Sequence, residues 1–347
     1  MIVKNEEDVL KRCLESVARA VDEIIIVDTG STDATKQIAS SFTSKIYDFE
    51  WCDDFSKARN FAFSKATCGY LMWLDADDVL SQESCDKLLR LKSSLAPDTD
   101  VVFMKYDVAF DENDNPMFSY YRERLIRNCE KAVFVEPVHE TVVPFGKTIY
   151  SDITVQHRKT KSNPPKRNLK IFRKLIREKT QLSPRMTYYY GRELMYNGYY
   201  KKAAVVFRRF LKNGNGWIEN NIEACRDLSQ CHIALGETEK AKQALIRSFI
   251  YDAPRAEACC DLGTLFLNEE NYSAAEYWFL AALESKQNET LGFVEKDYYG
   301  FIPAIELAVV YDKMGNREKA VFYHKLSGRF KPTHPSYLSN ANYFGTF

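Results

Sequence analysis

Five apolar residues, Tyr70 to Leu74, run without a break and end in Asp75-Ala76-Asp77-Asp78. A run that short and that apolar suits a strand buried on both faces. Open α/β sheets bind ligands beyond the carboxyl ends of their strands, and three carboxylates stand at that end here. Clustered carboxylates repel one another, and a hard divalent cation shared with phosphate oxygens is the usual offset. Taken alone, the same tetrapeptide also reads as a solvated acidic turn, with Ser81 as the N-cap of the next helix.

Helix and strand alternate around that run. Asn5 is placed to cap a helix with Glu6, Glu7 and Asp8 in its first turn and Val9, Leu10, Cys13, Leu14 and Val17 on one apolar face. Residues 24–27 read as a buried strand, 46–49 as another, 54–66 as a helix, a further helix starts at about Cys85, and 101–110 read as a strand. This alternation predicts an α/β domain with a mostly parallel sheet and helices on both faces. Residues 111–157 lose the pattern and read as short strands and loops.

From about Pro165 the chain reads as helical throughout, and it repeats. Gly198-x-Tyr200-x-x-Ala203, Gly236-x-x-x-x-Ala241, Glu270-x-Tyr272-x-x-Ala275 and Gly315-x-x-x-x-Ala320 share one frame at spacings of 38, 34 and 45 residues. A helix–turn–helix period near 34 is the tetratricopeptide signature, with Gly closing the turn and small residues letting paired helices approach. The longer last spacing implies an insertion near residues 286–300. Pro164-Pro165 marks the boundary, so the expected domains are 1–163, an α/β domain, and 164–347, an all-α helical repeat domain.

Composition excludes some classes. Lys+Arg and Asp+Glu each number 48, so the net charge is zero and nucleic acid is not the expected partner. No apolar run approaches a membrane span and no signal segment opens the chain. Nine scattered cysteines, without CxxC or Cys/His zinc spacing, suit the reduced thiols of the cytosol, and a cytoplasmic protein is expected.

Other polar residues fall near the same sheet edge. Asp28 ends the 24–27 strand, where a carboxylate can accept a pyrimidine N–H or a ribose hydroxyl; a turn aspartate opening Thr29-Gly30-Ser31 is the alternative. Ser56, Arg59, Asn60 and Phe63 share a helix face, from which a guanidinium can reach a diphosphate; an ordinary surface arginine is the alternative. Val138-His139-Glu140 lies in the irregular stretch, and on an extended segment its His and Glu point to opposite faces. Glu140 is a candidate general base and His139 an orienting or phosphate-binding group. His157 follows an alternating Ile153-Thr154-Val155 and is a candidate metal ligand.

Five segments occur in order: Ile2-Val3-Lys4-Asn5-Glu6-Glu7, Val27-Asp28-Thr29-Gly30-Ser31-Thr32-Asp33, Asp54-Phe55-Ser56-Lys57-Ala58-Arg59-Asn60, Leu74-Asp75-Ala76-Asp77 and Val138-His139-Glu140. Together they resemble the family 2 glycosyltransferases of the GT-A fold. With the appended repeats they resemble the branch that includes the S-glycosyltransferases of glycocin peptides. Arg167-Asn168-Leu169 and Tyr190-Gly191-Arg192-Glu193-Leu194 are similar to that branch's junction. The resemblance implies metal-dependent, inverting transfer of a hexose from a nucleotide sugar, a UDP-hexose being expected, to a peptide, protein or glycan acceptor. It implies Asp28 on the base, Val3, Asn5, Glu7, Arg59, Asp75 and Ala76 around the nucleotide sugar, and Asp77 with His157 on Mg²⁺ or Mn²⁺. It implies Glu140 as the base that deprotonates the acceptor, with His139 as its rival. Members of that family carry several residues before the segment matching Ile2-Val3, so this chain is expected to start inside the first strand.

Two other readings stay open at this point. A tetratricopeptide scaffold with a degenerate sugar-nucleotide domain would have no need of Asp28, Arg59, Asp75 and Asp77 together. A sugar nucleotidyltransferase needs a Gly-rich, basic loop after its first strand, and Lys4-Asn5-Glu6-Glu7 has no Gly and two acids. The helical repeats are expected to offer a surface for an acceptor or for a second copy of the chain.

Overall fold

The computed structural model describes residues 1–110, 114, 116–160, 166–286 and 295–345. The chain forms two compact units, Met1–Thr180 and Gln181–Phe347. The Pro164-Pro165 break, and residues 287–294 of the expected insertion, lie outside the described residues.

In the first unit the elements run β1 (Ile2–Val3), α1 (Leu10–Val17), β2 (Ile26–Asp28), α2 (Thr35–Ser40), β3 (Ile46–Asp48), α3 (Phe55–Phe63), β4 (Tyr70–Met72), β5 (Asp78–Leu80), α4 (Gln82–Ser94), β6 (Thr99–Phe110), β7 (Pro116–Arg127), β8 (Phe134–Val135), β9 (Thr141–Val142), β10 (Lys147–His157) and α5 (Arg167–Arg177). Strands β1, β2 and β3 pair in parallel. A second sheet has the order β4-β7-β6-β10-β5, and β8 with β9 forms a small hairpin. Both faces of the second sheet are buried, as the apolar run at residues 70–74 requires. Leu71, Trp73, Val101 and Ile126 enter one cluster, while Leu74, Val102, Met104 and Tyr106 enter another with α1 and α4.

Three expectations are corrected. The parallel reading holds for β1–β3 and for β6 with β10, but β4–β7, β6–β7 and β10–β5 are antiparallel. Residues 116–127 and 147–157 are long strands, not short pieces. Charged residues hid the first of them: Glu123 and Arg124 are buried in β7, so hydropathy marks an interior strand as surface. Asn5 does not cap α1. Its φ of 56° is left-handed, its Oδ1 accepts the N–H of Thr32 at 2.8 Å, and the helix begins at Leu10. Ser81 does cap α4, accepting the N–H of Ser84.

The second unit is helical: α6 (Pro184–Tyr196), α7 (Tyr200–Asn213), α8 (Ile218–Ala234), α9 (Thr238–Arg247), α10 (Ala256–Asn268), α11 (Tyr272–Glu284), α12 (Phe301–Lys313), α13 (Arg317–Phe330) and α14 (Pro335–Phe344). Consecutive pairs α6/α7, α8/α9, α10/α11 and α12/α13 form four hairpins, and α14 packs on α13. The frame read in the sequence falls on these hairpins. Ala203, Ala241, Ala275 and Ala320 are fully buried. A Cβ on Gly191 would meet the Phe207 ring at 2.6 Å, and one on Gly263 would meet Phe279 at 2.8 Å, so each small residue seats an aromatic ring of its partner helix.

The turn position of each hairpin is left-handed: Gly198, Gly236 and Gly315 at φ 77°, 73° and 76°, and Glu270 at 59°. A side chain costs about 1 kcal/mol in that conformation. Glu270→Gly is therefore expected to stabilise the second unit by about 1 kcal/mol. Urea unfolding of the variant checks this, and a loss of stability would assign Glu270 a role beyond closing its turn.

His324 on α13 is fully buried, and neither ring nitrogen has a partner among the described residues. It stacks on Tyr337 at 4.5 Å between ring centroids, with Phe344 at 5.3 Å. Burial, with Lys325 nearby, lowers its pKa. The folded state then takes up this proton less readily than the unfolded chain, so stability falls as the pH drops below about 6.5, the ordinary histidine value. His324→Phe keeps a ring on Tyr337 and removes the unpartnered nitrogens. It is expected to gain about 1–2 kcal/mol at pH 5.5 and less at pH 8. Urea titrations at both pH values read the difference.

Candidate active site

The acidic turn is built by its own backbone and by its neighbours. Strand β4 ends at Met72, the Asp78 N–H returns to the Asp75 carbonyl at 3.0 Å, and the Asp75 N–H donates to Asp78 Oδ2 at 2.9 Å. Ala76, at the centre of the turn, is buried against the cluster of Val3, Val9 and Ile26. Strand β5 begins at Asp78 and pairs antiparallel with β10 in the register His157↔Asp78. That register brings His157 to the turn across 79 residues of sequence.

Arg59 joins the turn to the 138–140 segment. Asp54 caps α3 by accepting the Lys57 N–H, and the helix delivers Arg59, buried, to the sheet edge. Its Nη2 donates to Asp75 Oδ1 and its Nε to Glu140 Oε1, both at 2.6 Å. The guanidinium lies 4.9 Å from the Trp73 ring centroid. Burial raises the pKa of Asp75, but the charges of Arg59 and Arg124 outweigh it and hold the carboxyl well below its usual range. The reading of residues 138–140 as extended is corrected: His139 has a left-handed φ of 56°, Val138 is buried, and Glu140 turns to Arg59. Asn60 is spent on the backbone of Phe134, donating to its carbonyl at 2.9 Å and accepting its N–H at 2.8 Å.

Asp77 and His157 form the open end of the cluster. His157 Nδ1 lies 3.3 Å from Asp77 Oδ1 and 3.3 Å from Asp78 Oδ1. One donor atom from each of these three residues falls within 4.8 Å of the others. Burial lowers the His157 pKa, but hydrogen bonds with Asp77 and Asp78 outweigh it and raise it to about 10. A partly exposed carboxylate beside an imidazole suits Mn²⁺, or Mg²⁺ that keeps several waters, so the residues present fit the expected cation. Asp78, the third carboxylate of the motif, is fully buried.

Asp28 sits at the end of β2, which pairs with β1 in the register Val3↔Asp28. The expectation of one shared sheet edge is corrected, because β2 belongs to the three-stranded sheet while the acidic turn joins β4 and β5 of the five-stranded one. Its carboxylate is 1% exposed. Oδ1 accepts the N–H groups of Gly30 and Ser31 at 2.9 and 2.8 Å, as the turn reading expected, while Oδ2 has no hydrogen-bond partner among the described residues. The loop that follows is zipped to residues 5–7. Glu7 Oε2 accepts the Ala34 N–H at 2.9 Å, the Glu6 N–H donates to Thr35 Oγ1 at 2.7 Å, and the Asn5 N–H donates to Ser31 Oγ at 2.9 Å. Asn5 and Glu7 thus frame the loop beside Asp28.

Tyr106, Arg122, Glu123 and Arg124 were not singled out from the sequence. Arg122 lies 4.7 Å from the Trp73 ring, on which Arg59 also rests, and donates to the Glu140 carbonyl at 3.3 Å. The available signal was Arg122-Glu123-Arg124 bounded by Tyr121 and Leu125-Ile126, a charge triplet flanked by apolar and aromatic residues.

Residues 1–155 match the profile of glycosyl transferase family 2. A TPR repeat-containing protein of Synechococcus elongatus is 40% identical over 143 residues, covering 41% of this chain and 34% of that protein. The SPbeta prophage-derived glycosyltransferase SunS of Bacillus subtilis is 30% identical over 208 residues, covering 56% of this chain and 48% of SunS. The chain spans half or less of the length of these relatives. A solved tetratricopeptide repeat protein from Parabacteroides merdae aligns with 52% of this chain and 66% of its own at 17% identity, with a TM-score of 0.41.

Proposed function

We propose that this chain transfers a hexose from a nucleotide sugar, a UDP-hexose, to a peptide, protein or glycan acceptor, a reading supported by the match of residues 1–155 to glycosyl transferase family 2. The observation that carries this reading is Asp28 Oδ2, a buried carboxylate oxygen at the C-terminal end of β2 that has no hydrogen-bond donor among the described residues. Such an orphan costs about 1–3 kcal/mol, more when charged. The N3–H of uracil is a donor of the kind it lacks.

Asp77 and His157 would hold Mg²⁺ or Mn²⁺, which would supply positive charge against the charge that grows on the leaving diphosphate. Asp75, kept ionised by Arg59, takes the ribose side, and Val3 and Ala76 complete the nucleotide-sugar site. Asn5 and Glu7 keep the loop beside Asp28 in place. Glu140, oriented by Arg59 through Oε1, takes the acceptor proton, and His139 is the rival for that role.

Three features support the rest of the reading. No helix among the described residues is long and apolar enough to cross a membrane, and every cysteine is free, which fits a cytoplasmic enzyme. Tyr188 is core, but Tyr196 is 64% exposed and Tyr200 also reaches solvent. Exposed tyrosines give contact area at low entropy cost, so the helical unit is assigned to the acceptor or to a second copy of the chain.

A panel of nucleotide sugars, with release of nucleoside diphosphate measured with and without Mn²⁺, tests the activity. No metal-dependent release from any donor would sink it. Glu140→Gln is expected to leave nucleotide-sugar binding intact by calorimetry while transfer falls about a hundredfold or more, the usual worth of a general base. Should His139→Ala produce that pattern and Glu140→Gln not, the two roles exchange.

A further inference from the structure

Asp78 belongs to the acidic motif, yet its contacts set it apart from Asp75 and Asp77. Its side chain is fully buried, and both oxygens are in use. Oδ1 accepts the Tyr106 hydroxyl at 2.8 Å and stands 3.3 Å from His157 Nδ1. Oδ2 accepts Arg124 Nη1 at 3.0 Å and the Asp75 N–H at 2.9 Å. A carboxylate has about four lone-pair sites, so little is left for a cation.

Arg124 explains how such a carboxylate stays charged in the core. Also fully buried, it lies between two aromatic rings, 3.9 Å from the Trp73 centroid and 4.3 Å from that of Tyr106, and donates to the Trp73 carbonyl at 3.1 Å. Each acidic side chain of the turn thus has a positive neighbour: Asp75 has Arg59, Asp78 has Arg124, and Asp77 shares His157 with Asp78. Of these three neighbours, only His157 can itself ligate a metal, and among the described residues Asp77 has no other cation beside it to take up its oxygens.

We propose that Asp78 is a positioning residue and not a metal ligand: anchored by Arg124 and Tyr106, it holds His157 from one oxygen and the Asp75–Asp78 turn from the other. This rests on the reading that Asp77 and His157 hold the cation. Carboxylates that orient a ligating histidine in this way typically change metal affinity about 10–100-fold when lost.

The experiment uses the full chain and Mn²⁺ alone, titrated by calorimetry, with the His157 ring nitrogens followed by NMR in the presence of Mg²⁺. Asp78→Asn by itself leaves Arg124 buried without a counter-charge and is at risk of not folding. Two further variants avoid this. Asp78→Asn with Arg124→Met removes both charges, and Tyr106→Phe removes one hydrogen bond while keeping both. The double variant is expected to bind one Mn²⁺ about 10–100-fold more weakly than wild type, with the His157 ring changed from one tautomer to a mixture. Tyr106→Phe is expected to shift both readouts in the same sense, by less. Complete loss of Mn²⁺ binding in the double variant, matching Asp77→Asn, would make Asp78 a ligand and overturn the proposal. Unchanged affinity and an unchanged His157 ring would overturn it as well. Wild-type Mn²⁺ binding by both Asp77→Asn and His157→Ala would remove the cation site itself, an outcome separable from the other two because it does not involve Asp78.

Discussion

Asp77→Asn is expected to abolish metal-dependent turnover while leaving the fold intact. The side chain is partly exposed, and its ion pair is with His157, so the core loses nothing. A cation held there would supply several kcal/mol at the transition state, so its loss corresponds to a fall in rate on the order of a thousandfold or more. The same variant should melt within a few degrees of wild type without Mn²⁺ and should lack the rise in melting temperature expected of the wild type in Mn²⁺. Wild-type turnover from Asp77→Asn would remove the metal assignment, and a large fall in the metal-free melting temperature would recast Asp77 as a structural residue.

Arg124→Met is expected to have the largest effect on stability. The side chain is fully buried, its Nη1 lies 3.0 Å from a fully buried Asp78, and two aromatic rings enclose it. Removing one partner of such a pair strands the other charge, at a cost of about 3–5 kcal/mol. Replacing both partners removes the stranded charge, so Arg124→Met with Asp78→Asn should recover most of that loss. Urea unfolding of the two single variants and the double variant measures the coupling. Additive losses would mean that Arg124 and Asp78 are not an energetic pair despite their contact.

Much of this was legible in residues 69–78 and in the helical frame. An apolar run ending in acids marks a strand end because burial and charge change over at one residue. The hairpins were legible because Gly or a tolerated substitute recurs where the chain must turn left-handed, as at Gly198 and Glu270, with Ala203 and Ala275 at the matching contacts. What stayed hidden depends on register and on pairing. His157 was a candidate on residue type, but its place beside Asp78 follows from the β10–β5 register, which no local pattern encodes. Arg124 stayed hidden because hydropathy scores a charge as exposed, and only the partner 46 residues away makes it a core residue. Asn5 failed as a cap because Thr32, distant in sequence, took its side chain.

The hairpins of the second unit touch in chain order, α7 against α8, α9 against α10 and α11 against α12, and α14 closes the row on α13. Structures built in this way hold together link by link, since each repeat leans on its immediate neighbours. Pulled from its C-terminus by an optical trap, this unit should give way in a staircase of force steps, with α14 and then the α12/α13 hairpin yielding first. Its length is correspondingly adjustable: a hairpin can be gained or lost in the row's interior at the expense of a single seam.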